Sequence, residues 1–153
     1  MSGSEIPAHL TAVEIEEGGV RVDLFPIAED VIRNVPGAKG FDADQLAQLT
    51  RESYFGAYVR VTKFPKGADT KFYRMLMGRV VAWSRWERKR EAIAYAATAT
   101  LRNMCHVIQI GEECCDAMRS RNGEIADPAN PERLPLNECL MDCGCRYAFR
   151  KIE

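Results

Sequence analysis

The sequence lacks several features that would assign it to a well-defined class of protein. No run of residues approaches the roughly 18–20 consecutive apolar residues of a transmembrane helix. The first ten residues contain no basic stretch followed by an apolar core, so we expect no secretory signal. A formal net charge of −1 excludes the strongly basic composition of many nucleic-acid-binding chains. We therefore expect a soluble chain without a membrane partner, located in the cytoplasm or in a virion.

Catalytic motifs are also missing from the sequence. It contains no G-x-S-x-G, no P-loop, no G-x-G-x-x-G and no H-E-x-x-H. Only two histidines are present, and His106 follows Cys105 directly. On a helix, adjacent side chains point about 100° apart, so these two cannot form a nucleophile–base hydrogen bond with each other. We therefore predict that the protein is not an enzyme.

What the sequence does contain begins with a hairpin pattern. Two runs of alternating apolar and polar residues flank Gly18-Gly19, so we predict a β-hairpin over residues 11–25. This register places Ile15 opposite Val22 on an apolar face. Because an isolated hairpin is marginally stable in water, a helix, another strand or a partner subunit must cover that face.

Three further segments carry helix signals. A short apolar helix is expected to end at Pro36-Gly37, and a second helix is predicted over 43–63 with Asp42 as its N-cap. A long helical region is predicted over 70–119, beginning after Asp69, because glycine and proline are absent between Gly78 and Gly111. This region is either one long helix or a helical hairpin that breaks in its charged middle.

The remaining sequence completes the predicted fold. Residues 120–137 contain three prolines and are predicted to form a loop, followed by a cysteine-rich C-terminal segment over 138–153. Within that segment, 145–152 is expected to be a strand that joins the N-terminal hairpin. The predicted fold class is α+β and α-rich, with a long central helix or helical hairpin, shorter helices and a small antiparallel sheet. The length favours a single domain over 1–153.

All six cysteines follow residue 104. Because no secretion signal precedes them, disulfides are disfavoured. Cys139, Cys143 and Cys145 form a C-x3-C-x-C cluster, and a fourth thiolate from Cys114 or Cys115 would complete a zinc site or an iron–sulfur cluster. One alternative is that the cysteines are simply buried in a core. Another alternative is a thiol-redox pair, formed by Cys114 and Cys115 or by Cys143 and Cys145. The candidate metal ligands are Cys115, Cys139, Cys143 and Cys145.

The middle of the chain is basic although the whole is nearly neutral. Residues 71–103 carry eight basic against two acidic residues. Residues 83–90 combine two tryptophans with four cations. Such a segment can pack in the core, contact a protein partner or contact phosphates. In the last case Lys71, Arg74 and Arg79 would extend the surface. The candidate partner-binding residues are Trp83, Arg85, Trp86, Arg88, Lys89 and Arg90.

These patterns favour a non-enzymatic structural or adaptor subunit of a larger assembly, formed with other copies or other proteins. A bacteriophage capsid, neck or tail protein is one concrete form of this hypothesis. Neighbouring subunits would then cover the apolar hairpin face and the cationic helix. The alternative is a zinc or iron–sulfur module that binds nucleic acid through the basic helix over 71–103, and a third hypothesis is a thiol-redox enzyme. No cofactor is expected unless the cysteines bind zinc.

Overall fold

The fold is α+β and mostly helical, as the sequence predicts. A computed structural model gives the architecture. Contacts between Cα atoms divide the chain into two compact units, Met1–Ser84 and Arg85–Glu153. The single domain expected from the length stays a prediction. The structure describes residues 8–56, 59–95, 104–109, 125–126, 133–137, 139 and 146–151.

The N-terminal hairpin has the predicted register. Strand β1 (Glu14–Glu17) pairs antiparallel with β2 (Val20–Asp23), and Ile15 lies opposite Val22. The turn needs Gly18-Gly19, because both residues have a positive φ, of 60° and 79°. Glycine adopts this backbone conformation without steric cost, so the sequence fixes the turn and hence the register.

The same register sets two carboxylates opposite each other. Glu14 faces Asp23 across the strands, which is unfavourable for two negative charges. Arg21 relieves this, since its Nη2 donates to Glu14 Oε1 at 2.7 Å, while Asp23 Oδ1 accepts a hydrogen bond from the backbone N–H of Phe25 at 2.9 Å. The hydrogen bond from Arg21 is the main reason that the pKa of Glu14 lies below its usual value.

The helices α1 (Phe25–Asn34) and α2 (Ala43–Tyr54) follow the hairpin. Asp42 caps α2 as predicted, because its Oδ1 accepts a hydrogen bond from the backbone N–H of Gln45 at 3.1 Å. The Gln45 side chain donates instead to the carbonyl of Lys63 at 3.1 Å, so the reciprocal bond of a capping box is replaced by one to a more distant loop.

The prediction of one helix over 43–63 is wrong beyond Tyr54. Gly56 has a φ of +87°, which ends the helix, and a short 3-10 turn occupies Val61–Lys63. The aromatic and β-branched residues in this stretch are compatible with several backbone conformations, so their pattern alone does not locate the end of the helix.

The hairpin, α1, α2 and the first half of the next helix share one hydrophobic core. Ile15 and Leu24 of the hairpin are fully buried in it. Each contributes about 1.5–3 kcal/mol to folding by burial. Helices of the same chain therefore cover the apolar hairpin face, and the expectation that a neighbouring subunit covers it is wrong.

Two side chains of α2 hold the hairpin in place. The Nε of Arg51 donates to the carbonyl oxygen of Glu14 at 3.1 Å. The hydroxyl of Tyr54 donates to the carbonyl oxygen of Glu16 at 3.4 Å and to Glu17 Oε2 at 3.1 Å. The last turn of α2 thus covers the outer edge of β1.

Helix α3 (Thr70–Tyr95) begins where predicted, because Asp69 Oδ1 accepts a hydrogen bond from the backbone N–H of Phe72 at 2.8 Å. Its 26 residues form one continuous helix about 39 Å long. No helix within the described ranges is long and apolar enough to cross a membrane. The helix predicted over 70–119 is wrong over Met104–Gln109, where the chain forms a strand, and residues 96–103 and 110–119 lie outside the described residues.

A second, three-stranded antiparallel sheet has the strand order β4-β3-β5. Its strands are β3 (Met104–Gln109), β4 (Ile125–Ala126) and β5 (Arg146–Lys151). The loop predicted over 120–137 therefore contains a short strand. The strand predicted over 145–152 exists, but its predicted pairing is wrong because it pairs with β3 and not with the hairpin.

Candidate functional site

A group of cations occupies the surface of α3 immediately after its buried half. Arg85, Lys89 and Arg90 are exposed, and Trp86 is half-buried between them in sequence. At about 100° per residue, these four side chains lie within an arc of roughly 140° on the helix. We call these four residues the cationic face. It presents three permanent positive charges around one aromatic ring.

Basic residues outnumber acidic residues in this part of α3. Residues 85–90 carry four basic residues and one acid, Glu87. The carboxylate of Glu87 lies 3.9 Å from Arg90 Nη2, and both side chains are about half exposed. Solvent screening makes such a pair worth little. The formal charge of residues 85–90 is therefore +3, and Arg88 contributes to it from a half-buried position.

Trp83 lies in the core and not at a partner surface. Its side chain has no exposed area and belongs to the same core cluster as the hairpin residues. Arg79 is also fully buried, and its guanidinium carbon lies 5.5 Å from the centroid of the Trp83 ring, which indicates a cation–π contact. Of the three interpretations of this tryptophan, the structure therefore supports core packing.

The predicted phosphate-contacting surface over 71–103 is shorter than the sequence suggests. Arg79 is buried, and Arg74 donates from Nη2 to the carbonyl oxygen of Val59 at 2.9 Å while it lies over the Phe64 ring at 5.0 Å. Neither arginine extends the cationic face. Both use their charged groups inside the fold, where an arginine can stack on a ring and donate hydrogen bonds at once.

The structure leaves the proposed cysteine site untested. Cys139 is buried, whereas Cys114, Cys115, Cys143 and Cys145 lie outside the described residues. Within the described part of the chain, no group of three or more histidine, cysteine or acidic side chains is placed to hold a metal ion. Zinc or iron–sulfur binding and thiol-redox chemistry therefore stay predictions.

One surface was missed by the sequence interpretation. A groove of about 440 Å³ lies between α1, the loop that follows it and the first residue of α2. The sequence signal is only the glycine-rich loop between two helices, and it does not reveal which side chains converge there. We call it the loop groove. Its lining residues are Glu29, Ile32, Arg33, Lys39, Phe41 and Ala43.

A buried tyrosine lies behind the loop groove. The ring of Phe41 meets the ring of Tyr73 edge-on, with 5.4 Å between centroids and an interplanar angle of 89°. Burial, together with the negative charge of Asp42, raises the pKa of Tyr73 to about 12. The Tyr73 hydroxyl is therefore neutral over the physiological range of pH.

No protein-family model, curated protein or solved structure matches the chain. The cationic face and the loop groove are therefore the two features from which we infer a function. The first presents charge on a regular helix, and the second presents an apolar floor with a charged rim.

Proposed function

We propose that the chain is a non-enzymatic adaptor subunit of a larger protein assembly, and that its cationic face binds an acidic surface of a neighbouring subunit. The observation that carries the proposal is the exposure of Arg85, Lys89 and Arg90 on one side of a continuous helix. Because α3 is uninterrupted here, these side chains have a fixed spacing. A rigid frame reduces the conformational entropy that binding must overcome.

The residue types on the cationic face support a protein partner. Tryptophan and arginine are the residues most often found at the energetic centre of protein interfaces. Trp86 offers an apolar surface between the exposed cations, so a partner can gain both burial and charge complementarity. An acidic surface with one apolar depression would match this arrangement.

Nucleic acid is the alternative ligand for the same cations. Arg85 and Arg90 are only about 7.5 Å apart along the helix axis. Proteins with strong salt-dependent binding make on the order of 6–10 phosphate contacts, and a surface this short reaches fewer. Since Arg74 and Arg79 are used inside the fold, they do not lengthen it. We therefore favour a protein partner.

Assignment to a bacteriophage virion is a finer form of this proposal, and so is the choice between a homo-oligomer and a hetero-oligomer. The hairpin supports neither the virion assignment nor a particular oligomer, because Ile15 and Leu24 of its apolar face are buried within the same chain. The proposal rests on the cationic face alone.

The test is a triple charge reversal, Arg85→Glu, Lys89→Glu and Arg90→Glu, in the tagged full-length chain. Proteins that copurify from the native source in stoichiometric amounts are identified for the wild type and the variant. We expect the main partner to be lost with the triple variant. Circular dichroism should show an unchanged helix content, because all three side chains are exposed.

A matched control uses three exposed cations elsewhere, Arg60→Glu, Lys63→Glu and Lys66→Glu, which change the net charge by the same amount. This control should retain the partner. Loss of the partner from both variants, or from neither, would refute a specific role of the cationic face. Binding of a duplex DNA probe in a fluorescence anisotropy assay, abolished only by the first triple variant, would replace the protein partner with nucleic acid.

A further inference from the structure

The loop groove has an apolar floor that the fold holds in place. Phe41 forms part of this floor, and its ring packs against Tyr73 and lies 6.4 Å from the ring of Phe72. The loop before it depends on Gly37, which has a φ of +87°, and a Cβ at this position would lie 3.4 Å from the Phe72 ring. A floor supported in this way is largely formed before any ligand binds, which is the usual condition of binding sites.

The rim of the loop groove carries charges that the chain does not neutralise. Arg33 and Lys39 are exposed, and neither forms an ion pair with any residue in the described ranges. Glu29 lies one helical turn before Arg33, and it too forms no ion pair with any residue in the described ranges. The carboxylate of Asp42, next in sequence to the floor, already accepts the hydrogen bond that caps α2. Two cations and one carboxylate thus remain available to a ligand.

This set of groups selects a particular ligand chemistry. Two cations favour a carboxylate, and the floor of Ile32 and Phe41 favours a bulky apolar group beside it. Glu29 accepts hydrogen bonds but donates none, so it favours a ligand that also has N–H donors. A peptide supplies all three groups, whereas a simple fatty acid lacks the donor.

We propose that the loop groove binds an acidic peptide segment of a partner protein, with a bulky apolar side chain on the floor and an adjacent carboxylate between Arg33 and Lys39. Backbone N–H groups of the segment donate to Glu29. This site is separate in sequence from the cationic face, and the proposal does not depend on that face.

The experiment follows the Ile32 methyl and Ala43 amide signals of the full-length chain by NMR. The probe is acetyl-Glu-Leu-Leu-Glu-amide, and its charge-reversed counterpart is acetyl-Lys-Leu-Leu-Lys-amide. We expect saturable shifts with the acidic peptide only. The double variant Arg33→Glu, Lys39→Glu should weaken binding by about tenfold, the effect of reversing two exposed charged contacts. Both positions are exposed, so the variant should fold.

The matched control Lys66→Glu, Lys71→Glu should bind the acidic peptide as the wild type does. Reversal of Arg85, Lys89 and Arg90 should also leave this binding unchanged, which separates the outcome from that of the assembly proposal. The proposal is overturned if no shift saturates, if Arg33→Glu, Lys39→Glu binds equally well, or if octanoate binds as tightly as the peptide. Shifts that depend on protein concentration without peptide would mean that a second copy occupies the groove, which also overturns it.

Discussion

Replacing Tyr73 with phenylalanine should raise the free energy of unfolding. The Tyr73 side chain is fully buried, and its hydroxyl has no hydrogen-bond partner in the described structure. The ring itself is well packed, because its centroid lies 5.4 Å from that of Phe41 and 4.8 Å from that of Phe64. The substitution removes only the hydroxyl and keeps these ring contacts.

The magnitude follows from the cost of burying a polar group without a partner. A buried hydroxyl in this state costs about 1–3 kcal/mol, and phenylalanine avoids that cost. The small space left by the removed oxygen offsets part of the gain. We therefore expect Tyr73→Phe to stabilise the chain by about 1 kcal/mol at neutral pH.

The raised pKa of Tyr73 makes this difference depend on pH. The folded-state pKa is about 12, above the unfolded value of 10, because burial disfavours the phenolate and the charge of Asp42 adds to the effect. The protonated Tyr73 hydroxyl makes its full contribution to the free energy of unfolding below pH 10. This contribution is lost as the pH rises through 12, because Tyr73 ionises at a lower pH in the unfolded chain than in the folded chain. The difference in free energy of unfolding between the Tyr73→Phe variant and the wild type should therefore increase by about 2–3 kcal/mol between pH 10 and pH 12.

Urea unfolding followed by circular dichroism, at neutral pH and between pH 10 and 12, measures both effects. Tyr54→Phe is the matched control, because the Tyr54 hydroxyl is hydrogen-bonded to Glu16 and Glu17. This control should lose about 0.5–1.5 kcal/mol at neutral pH. If Tyr73→Phe is destabilising to the same degree as Tyr54→Phe, the buried hydroxyl has a partner and the reasoning is wrong.

Four further substitutions, at three positions, test the elements that hold the loop groove and α3. Gly37→Ala and Gly40→Ala, at φ of +87° and +104°, should each cost about 1–2 kcal/mol in thermal or urea unfolding, because alanine is strained at these angles. A neutral effect at both positions would contradict the loop conformation. Asp69→Ala should lower the free energy of unfolding by about 1 kcal/mol, because it removes the N-cap of α3. Asp69→Asn should retain most of this stability, because asparagine is also a good N-cap. Equal losses in the two variants would show that Asp69 does not act as the cap.

Local features of the fold could be predicted from the sequence. The hairpin register follows from Gly18-Gly19 and the alternation around it, and the starts of α2 and α3 follow from Asp42 and Asp69. In each case the determining interaction lies within a few residues along the chain. Short-range turn and cap chemistry therefore sufficed to place these elements.

Features that depend on distant partners could not be predicted in this way. The absence of glycine and proline before Gly111 predicts a helix over Met104–Gln109, yet this segment is a strand that pairs with Arg146–Lys151. A run of apolar residues is compatible with both states, and the partner strand about forty residues later decides between them. Nothing local to either segment reveals that pairing.

The candidate site shows the same division. The pattern over 83–90 is compatible with core packing, protein contact or phosphate contact, and in the structure Arg85, Lys89 and Arg90 are exposed. Trp83 and Arg79 suited the core and the surface equally well in the sequence, because both have a long apolar body and a polar tip. The loop groove was missed because its lining comes from two helices and a loop whose approach is set by the packing of Phe41.

The contacts between α2 and β1 also determine how the hairpin meets other chains. An edge strand with free carbonyl groups is a template for intermolecular β-pairing and for aggregation. On β1 the carbonyls of Glu14 and Glu16 already accept hydrogen bonds from Arg51 and Tyr54, so a foreign strand would have to displace both donors. Intermolecular strand addition to this two-stranded sheet is thereby directed to the edge of β2, the strand that begins at Val20.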